Sequence, residues 1–263
     1  MLYFLKLGGS LITDKKVEQT AQRETLERLA VEIADALKIR TDLQLVIGHG
    51  SGSFGHTVAS KYGTRQGVNS AEKWLGFVEV FRAARALNQI VLESLLNSGL
   101  PVIAFPPSAG VISEDGLIQS WDIQPLEAAL ATGLIPLING DVIFDTKRGG
   151  TILSTEELFA YLAPKLIPQR ILLAGIEAGV WQDYPTCTQL LESITRSSYN
   201  NHSTNLSGSA AVDVTGGMRQ KVEIMLSVAS HVKGLKSLIF SGNEPGLVYQ
   251  ALLGDLPGTC VCA

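Results

Sequence analysis

Short apolar runs alternate with longer amphipathic stretches along this chain. The runs occupy residues 2–7, 43–47, 102–105, 134–138, 170–174, 238–240 and 259–262. Their apolar positions are largely consecutive, as expected for strands covered on both faces, and the helical stretches between them supply the covers. The pattern predicts an α/β chain with a mainly parallel sheet and helices on its faces. In "TAQRETLERLAVEIADALK", Leu26, Leu29, Ile33 and Leu37 recur at spacings of three and four, which predicts an amphipathic helix. A longer helix is predicted over 70–97, with Trp74, Phe77, Val78, Phe81, Ala84, Val91 and Leu95 on one stripe and "GLP" ending it. "AGVISEDGLIQSW" and "DVIFDTKRGGTIL" alternate around Glu-Asp-Gly and Lys-Arg-Gly-Gly and predict two β-hairpins outside the parallel core. The polar run 196–213 is expected to be a mobile loop.

Composition narrows the class. The chain has 263 residues, of which 46% are hydrophobic and 17% charged, enough for a large core in one domain or two packed lobes. Its 21 basic and 25 acidic residues give a net charge of −4 with no basic block, which argues against a nucleic-acid partner. An anionic ligand must therefore be met by a few placed cations. No apolar run reaches the roughly 18 to 20 residues of a membrane span, and "MLYFLKLGGSLI" reads as a strand rather than a leader. A soluble, cytoplasmic protein is expected. The cysteines, Cys187, Cys260 and Cys262, are odd in number and predict free thiols, with Cys260 and Cys262 taken to point to opposite faces of a terminal strand.

The chemistry concentrates at glycines. "GHGSGSFGH" satisfies G-x-G-x-x-G at Gly50, Gly52 and Gly55, but it follows the second predicted strand, and the nearest carboxylate, Glu72, lies in a helical pattern. Both features disagree with a dinucleotide site. Glycines at strand ends have another use: without a Cβ, backbone N–H groups converge on a phosphate, and a following helix N-terminus adds positive charge. Gly8-Gly9 stands two residues after Lys6, with Lys15 and Lys16 downstream. "DVTGGMRQKV" repeats the arrangement before a predicted helix that carries Lys221 and runs to about Val232. No Walker A sequence is present. Glycine turns recurring with nearby cations point to phosphate binding.

In order, "LKLGGSLITDK", "GHGSGSFGH", "LIPLINGDVIFD" and "DVTGGMRQKV" resemble the signature segments of the amino acid kinase superfamily and, within it, of its isopentenyl phosphate kinase branch. The resemblance covers nearly the whole chain. It implies an αβα sandwich, a single domain in which residues 1–165 approximate the phosphoryl-acceptor lobe and 166–263 the ATP lobe. It also implies ATP-dependent transfer to a small alkyl monophosphate, with Mg²⁺ on the ATP phosphates and no metal held by protein ligands alone, and a homodimer. Lys6 and Lys221 would bridge the transferring phosphoryl group and Lys15 would reach toward the phosphates. His56 would bind the acceptor phosphate, and Asp141 would orient the lysines. Gly8, Gly9 and Ser10, with Thr215, Gly216 and Gly217, would lie at the nucleotide phosphates. Gly50, Ser51 and Gly52 would cradle the acceptor phosphate, with Trp74, Phe77 and Phe81 walling an apolar pocket. His49 has no ligand role by resemblance and is left structural.

The chain departs from that pattern at Ser51, where a glycine is usual, and at Gly175 and Ile176, which replace a Thr-Asp pair. "ILSTEELFAYLA" also lacks the Gly-Asp that normally follows its serine. A sister kinase acting on a nucleoside monophosphate or phosphonate, and a non-catalytic phosphate-binding protein, stay open beside the favoured reading. A polar pocket wall would favour the sister kinase.

Overall fold

The computed structural model describes residues 1–202 and 217–263. The first half runs β1 (Leu2–Leu7), α1 (Gly9–Ile12), α2 (Arg23–Ile39), β2 (Gln44–His49), α3 (Gly52–Tyr62), α4 (Ala71–Asn97), β3 (Val102–Ala104), β4 (Val111–Glu114) and β5 (Leu117–Trp121). There follow α5 (Gln124–Ala131), β6 (Ile135–Asn139), β7 (Asp141–Asp145), β8 (Gly149–Leu153), α6 (Thr155–Leu166) and β9 (Arg170–Gly175). The chain closes with β10 (Ser193–Ile194), α7 (Arg196–His202), α8 (Gly217–His231), β11 (Lys236–Ser241), α9 (Leu247–Leu253) and β12 (Thr259–Val261).

Eight strands form one sheet in the order β10-β12-β11-β9-β1-β2-β6-β3, parallel except where β12 meets β11. The strand period of two sorts its side chains between two cores. Tyr3, Leu5 and Leu7 join Leu45, Ile47, Leu172 and Phe240 under α2, α4 and α9. Leu2 and Phe4 face the other way and join Val46, Ile171, Leu173 and Ile239 under α5, α6 and α8. This is an αβα sandwich, and its central strands are buried because both faces are covered. On the first of these faces, Glu32 of α2 accepts hydrogen bonds from the Val248 and Tyr249 N–H groups of α9, and Arg28 donates to the Gly242 carbonyl.

The two expected hairpins form and merge into a second sheet, β5-β4-β7-β8. Asp145 ties them together by accepting from Ser113 Oγ and the Gly116, Lys147 and Arg148 N–H groups.

Three expectations are corrected. The run 196–213 opens with a helix, α7, and its remainder from residue 203 lies outside the described residues. Cys260 and Cys262 are two apart along an extended chain and therefore share a face; both are half-buried, and the fully buried Val261 between them faces the opposite core. On α4, Val78 is 58% exposed and Trp74 is exposed, whereas Phe77, Val80, Ala84, Leu87, Val91 and Leu95 are buried, so the buried face is rotated from the stripe read off the sequence.

Candidate active site

Parallel pairing brings the carboxyl ends of β1, β2 and β9 into line: Leu7 stands opposite His49 on one side and Ala174 on the other. From this edge the chain leaves β1 toward β2 and, later, β9 toward β11 on the opposite side, the kind of switch in strand order that opens a crevice in α/β sheets. Both glycine turns lie there. Gly8 precedes the single turn of α1, in which the Gly9 and Ser10 N–H groups have no acceptor within the helix. Gly50 and Ser51 lead into α3, where Gly52 adopts φ +48°. The nine-residue stretch "GHGSGSFGH" is thus a strand end, a two-residue turn and the start of a helix that already contains His56.

The two turns touch backbone to backbone. A Cβ on Gly9 would fall 2.7 Å from Gly52 Cα and within 2.4 Å of Gly52 N, and one on Gly50 would fall 2.8 Å from Gly9 N. Thr13 staples them: its hydroxyl donates to the Gly9 carbonyl at 2.7 Å and accepts from the Ser53 N–H at 3.0 Å. The sequence reading assigned nothing to Thr13; its burial beside a glycine-rich helix start is the structural reason for a hydroxyl at that position.

Below the turns, Lys6 continues the Leu2–Phe4 face and so points toward α6. It is only 8% exposed and forms a salt bridge with Glu156, itself 3% exposed. Gly48, the register partner of Lys6, lets α6 approach, since a Cβ there would meet the Thr155 methyl and the Phe159 ring. Glu156 is set in the first turn of α6 by a capping box. Ser154 Oγ accepts from the Glu157 N–H at 3.2 Å, and the Glu157 carboxylate accepts from the Ser154 N–H at 2.6 Å. Burial pushes the Glu156 carboxyl up, but the charges of Lys6 and Lys221 outweigh it and hold the group below its ordinary range. Lys221 comes from α8, which packs on α6. Among the described residues, the second carboxylate oxygen of Glu156, Oε1, accepts no hydrogen bond.

Glu156 is therefore the carboxylate at the lysines, and the expectation for Asp141 is corrected. Asp141 starts β7 and accepts from the Ser108 N–H at 3.2 Å and the Val142 N–H at 2.9 Å. Burial raises its carboxyl to about 6 despite those donors and the Arg85 charge. It lines a narrow cleft with Ser51, Gly55, His56, Ala59 and Ala84. Arg65 closes that cleft, fixed by the Glu157 carboxylate and the Ile152 carbonyl. The apolar wall comes from Ala59, Val80, Ala84 and Ile152. Trp74, Phe77 and Phe81, the predicted wall, are not among those residues: Trp74 and Phe77 pack with Phe144, at 5.9 and 5.3 Å between ring centroids, and Phe81 packs against the cluster that includes Phe77 and Val80.

The remaining predicted residues are dispersed or undescribed. Lys15 sits in the exposed stretch between Thr13 and Ala21, which the Gln19 N–H ties to the Ser53 carbonyl. Gly217 is the first residue of α8, with φ +65°. Thr215 and Gly216 lie outside the described residues. The Ser51 backbone is in the ordinary right-handed region, so the serine there introduces no strain.

Comparison with known proteins gives consistent results. The model of the Amino acid kinase family matches residues 1–241. An isopentenyl phosphate kinase of Methanocaldococcus jannaschii is 34% identical over 98% of this chain and 98% of its own length. One of Methanothermobacter thermautotrophicus is 33% identical over 97% and 96%. Among solved structures, one described as an X-ray structure of isopentenyl phosphate kinase superposes with a TM-score of 0.84 at 31% identity, covering 99% of this chain and 100% of that one.

Proposed function

The chain belongs to the amino acid kinase family, and from that premise we propose that it transfers the γ-phosphoryl group of ATP to isopentenyl phosphate, giving isopentenyl diphosphate. The observation that carries this reading is the contact of two glycine turns directly above the buried Lys6–Glu156 pair, next to a cleft with His56 at its phosphate end and small apolar side chains along its wall.

The chemistry follows from those groups. A phosphate monoester has a second pKa near 6, so the attacking oxygen is already an anion near neutral pH and no general base is required. The loose transition state spreads charge over peripheral oxygens, which fixed cations and N–H donors stabilise. Gly9 and Ser10 offer N–H groups toward the donor side, Ser51 and Gly52 toward the acceptor side, and the turn-to-turn contact keeps the two sets in register. Glu156 keeps Lys6 charged and aimed, while its second oxygen is available to Lys221. His56 is a hydrogen-bond donor to the acceptor phosphate, and Lys15 reaches the phosphates from its surface loop.

The cleft's apolar wall of Ala59, Val80, Ala84 and Ile152, opposite its polar end, supports an alkyl tail over a nucleoside. Residues before 166 form the acceptor lobe, and those from 166 on, whose strands lie together beyond β1, form the ATP lobe. Mg²⁺ is proposed on the ATP phosphates: the donors at the cradle are N–H and ammonium groups, which fit phosphate oxygens, and among the described residues no group of three or more His, Cys, Asp or Glu converges on a metal position. A homodimer in the cytoplasm completes the proposal, and no described helix is long and apolar enough to cross a membrane.

The test is ADP release with ATP and Mg²⁺ across isopentenyl phosphate, dimethylallyl phosphate, UMP and a small phosphonate, with Lys6→Ala as the blank. Turnover on the isoprenoid phosphates is expected. Preference for UMP or the phosphonate, or silence on all acceptors, would overturn the assignment.

A further inference from the structure

His49, which the sequence left without a role, occupies a defined position behind the acceptor turn. It follows Leu45 and Ile47 on the face beneath α4 and is fully buried. Its backbone carbonyl accepts from Thr155 Oγ1 at 2.7 Å and from the Gly140 N–H at 3.1 Å, so the residue is held on the α6 side as well. The ring lies between two further groups: Nε2 is 3.0 Å from Oδ1 of buried Asn88, and Nδ1 is 3.1 Å from the Gly50 carbonyl oxygen. Both oxygens only accept, so a neutral ring donates to one of them, and donation to Gly50 places the proton on Nδ1. Burial, helped by the Lys6 charge, holds the ring's pKa below the ordinary histidine value. A neutral ring protonated at Nδ1 has a lone pair at Nε2, which the Asn88 carboxamide meets once its O and N ends are exchanged by a turn about its last bond.

The consequence lies one peptide further on. The Gly50–Ser51 peptide is planar and trans, so its C=O and N–H point in opposite directions. Anchoring the carbonyl on the buried side turns the Ser51 N–H outward, at a residue that lines the cleft with His56. The Ser51 side chain makes no capping bond to α3, so it does not itself fix this peptide. We infer that His49 is a positioning residue for phosphoryl transfer: its Nδ1–H, steadied by Asn88, holds the Gly50 carbonyl and so directs the Ser51 N–H at the acceptor phosphate. This rests on the acceptor-site reading above. The geometry separates two halves of the ring, one facing the turn and one facing α4, and each can be replaced alone.

Asparagine at position 49 can place an N–H near Nδ1, and glutamine can place an amide near Nε2. His49→Asn is expected to keep the KM for isopentenyl phosphate within about threefold, while His49→Gln raises it about tenfold or more, the effect of losing one aligned hydrogen bond to a charged group. The KM for ATP should be unchanged in both. Equal losses in the two variants, or losses confined to melting temperature, would overturn the inference. Histidine-labelled ¹⁵N spectra of the ligand-free wild-type chain provide a readout that does not depend on turnover. A proton on Nδ1 is expected, and a ring protonated on Nε2 would remove the anchor even if the wild-type chain phosphorylates isopentenyl phosphate normally. Absence of wild-type turnover alongside an Nδ1 proton would instead locate the failure in the substrate assignment.

Discussion

Adding one methyl group at Gly9 tests the two-turn cradle directly. In Gly9→Ala the new Cβ would come within 2.4 Å of Gly52 N, 2.7 Å of Gly52 Cα and 3.3 Å of the Gly50 carbonyl carbon. All three atoms are backbone, so no side chain can swing away. Restoring ordinary contact requires the turns to separate by about 1 Å, while Thr13 and β1 resist from below. Overpacking of this kind costs about 1–3 kcal/mol, a fall of several degrees in Tm for a chain of this size. The larger effect should be on rate. The donor-side and acceptor-side N–H groups sit on opposite sides of that contact, and a misplacement of about 1 Å in a reacting geometry costs about 100-fold. Steady-state ADP release should therefore show kcat reduced about 100-fold in a protein that still melts cooperatively. Gly110→Ala is the matched control, because its nearest neighbour would be Trp121 Cδ1 at 3.9 Å. A Gly9→Ala enzyme with kcat within about threefold of wild type would refute the idea that the contact sets the reaction geometry.

Glu156→Gln should lower stability by about 3–5 kcal/mol, because it removes one charge of a buried ion pair, and should depress kcat as well. An unchanged melting curve would show that the pair is dispensable. For Asp141, a folded-state value of about 6 against 3.8 unfolded means that the folded chain retains a proton between those pH values. This contribution is fully present below about pH 4 and is lost as pH rises through 6, amounting to about 3 kcal/mol. Urea titrations should show the wild-type stability, relative to Asp141→Asn, falling across that window; a pH-independent difference would mean that Asp141 ionises as an exposed carboxylate. Ala84→Leu should fill the apolar cleft and raise the KM for isopentenyl phosphate at least about tenfold with the KM for ATP unaffected, and equal effects on both substrates would move the tail elsewhere.

Much of this fold was legible because its strands are buried on both faces, leaving uninterrupted apolar runs such as "ILLA", residues 171–174 of β9. The glycine turns were legible for a related reason: few arrangements other than close backbone approach call for so many residues without a Cβ. The carboxylate at the lysines was harder. A departure after Ser154 read as a loss, whereas the local signal was the capping box Ser154-Thr-Glu-Glu157, which fixes Glu156 in the first helical turn facing Lys6. Aromatic residues on α4 drew attention to the wrong part of that helix. Large side chains fill space between elements, and a cleft is left where the side chains are small, as at Ala59 and Ala84. His49 escaped notice because its importance depends on Asn88 and Gly50, and the first of these comes from a distant helix.

The central position of β1 also bears on how the chain is made. β1 is made before β2, which pairs with one of its edges soon afterwards, but the partner for the other edge is β9, where Arg170 meets Tyr3. At about 5–20 residues per second, completion of β9 follows that of β2 by roughly 6 to 25 s. During that interval a six-residue strand, apolar but for Lys6, presents an open row of N–H and C=O groups to any neighbouring nascent chain. Production of this enzyme should therefore be limited by aggregation during synthesis more than by the stability of the finished fold, and slower expression at low temperature or with a trigger-type chaperone should raise the soluble yield more than any mutation that raises Tm.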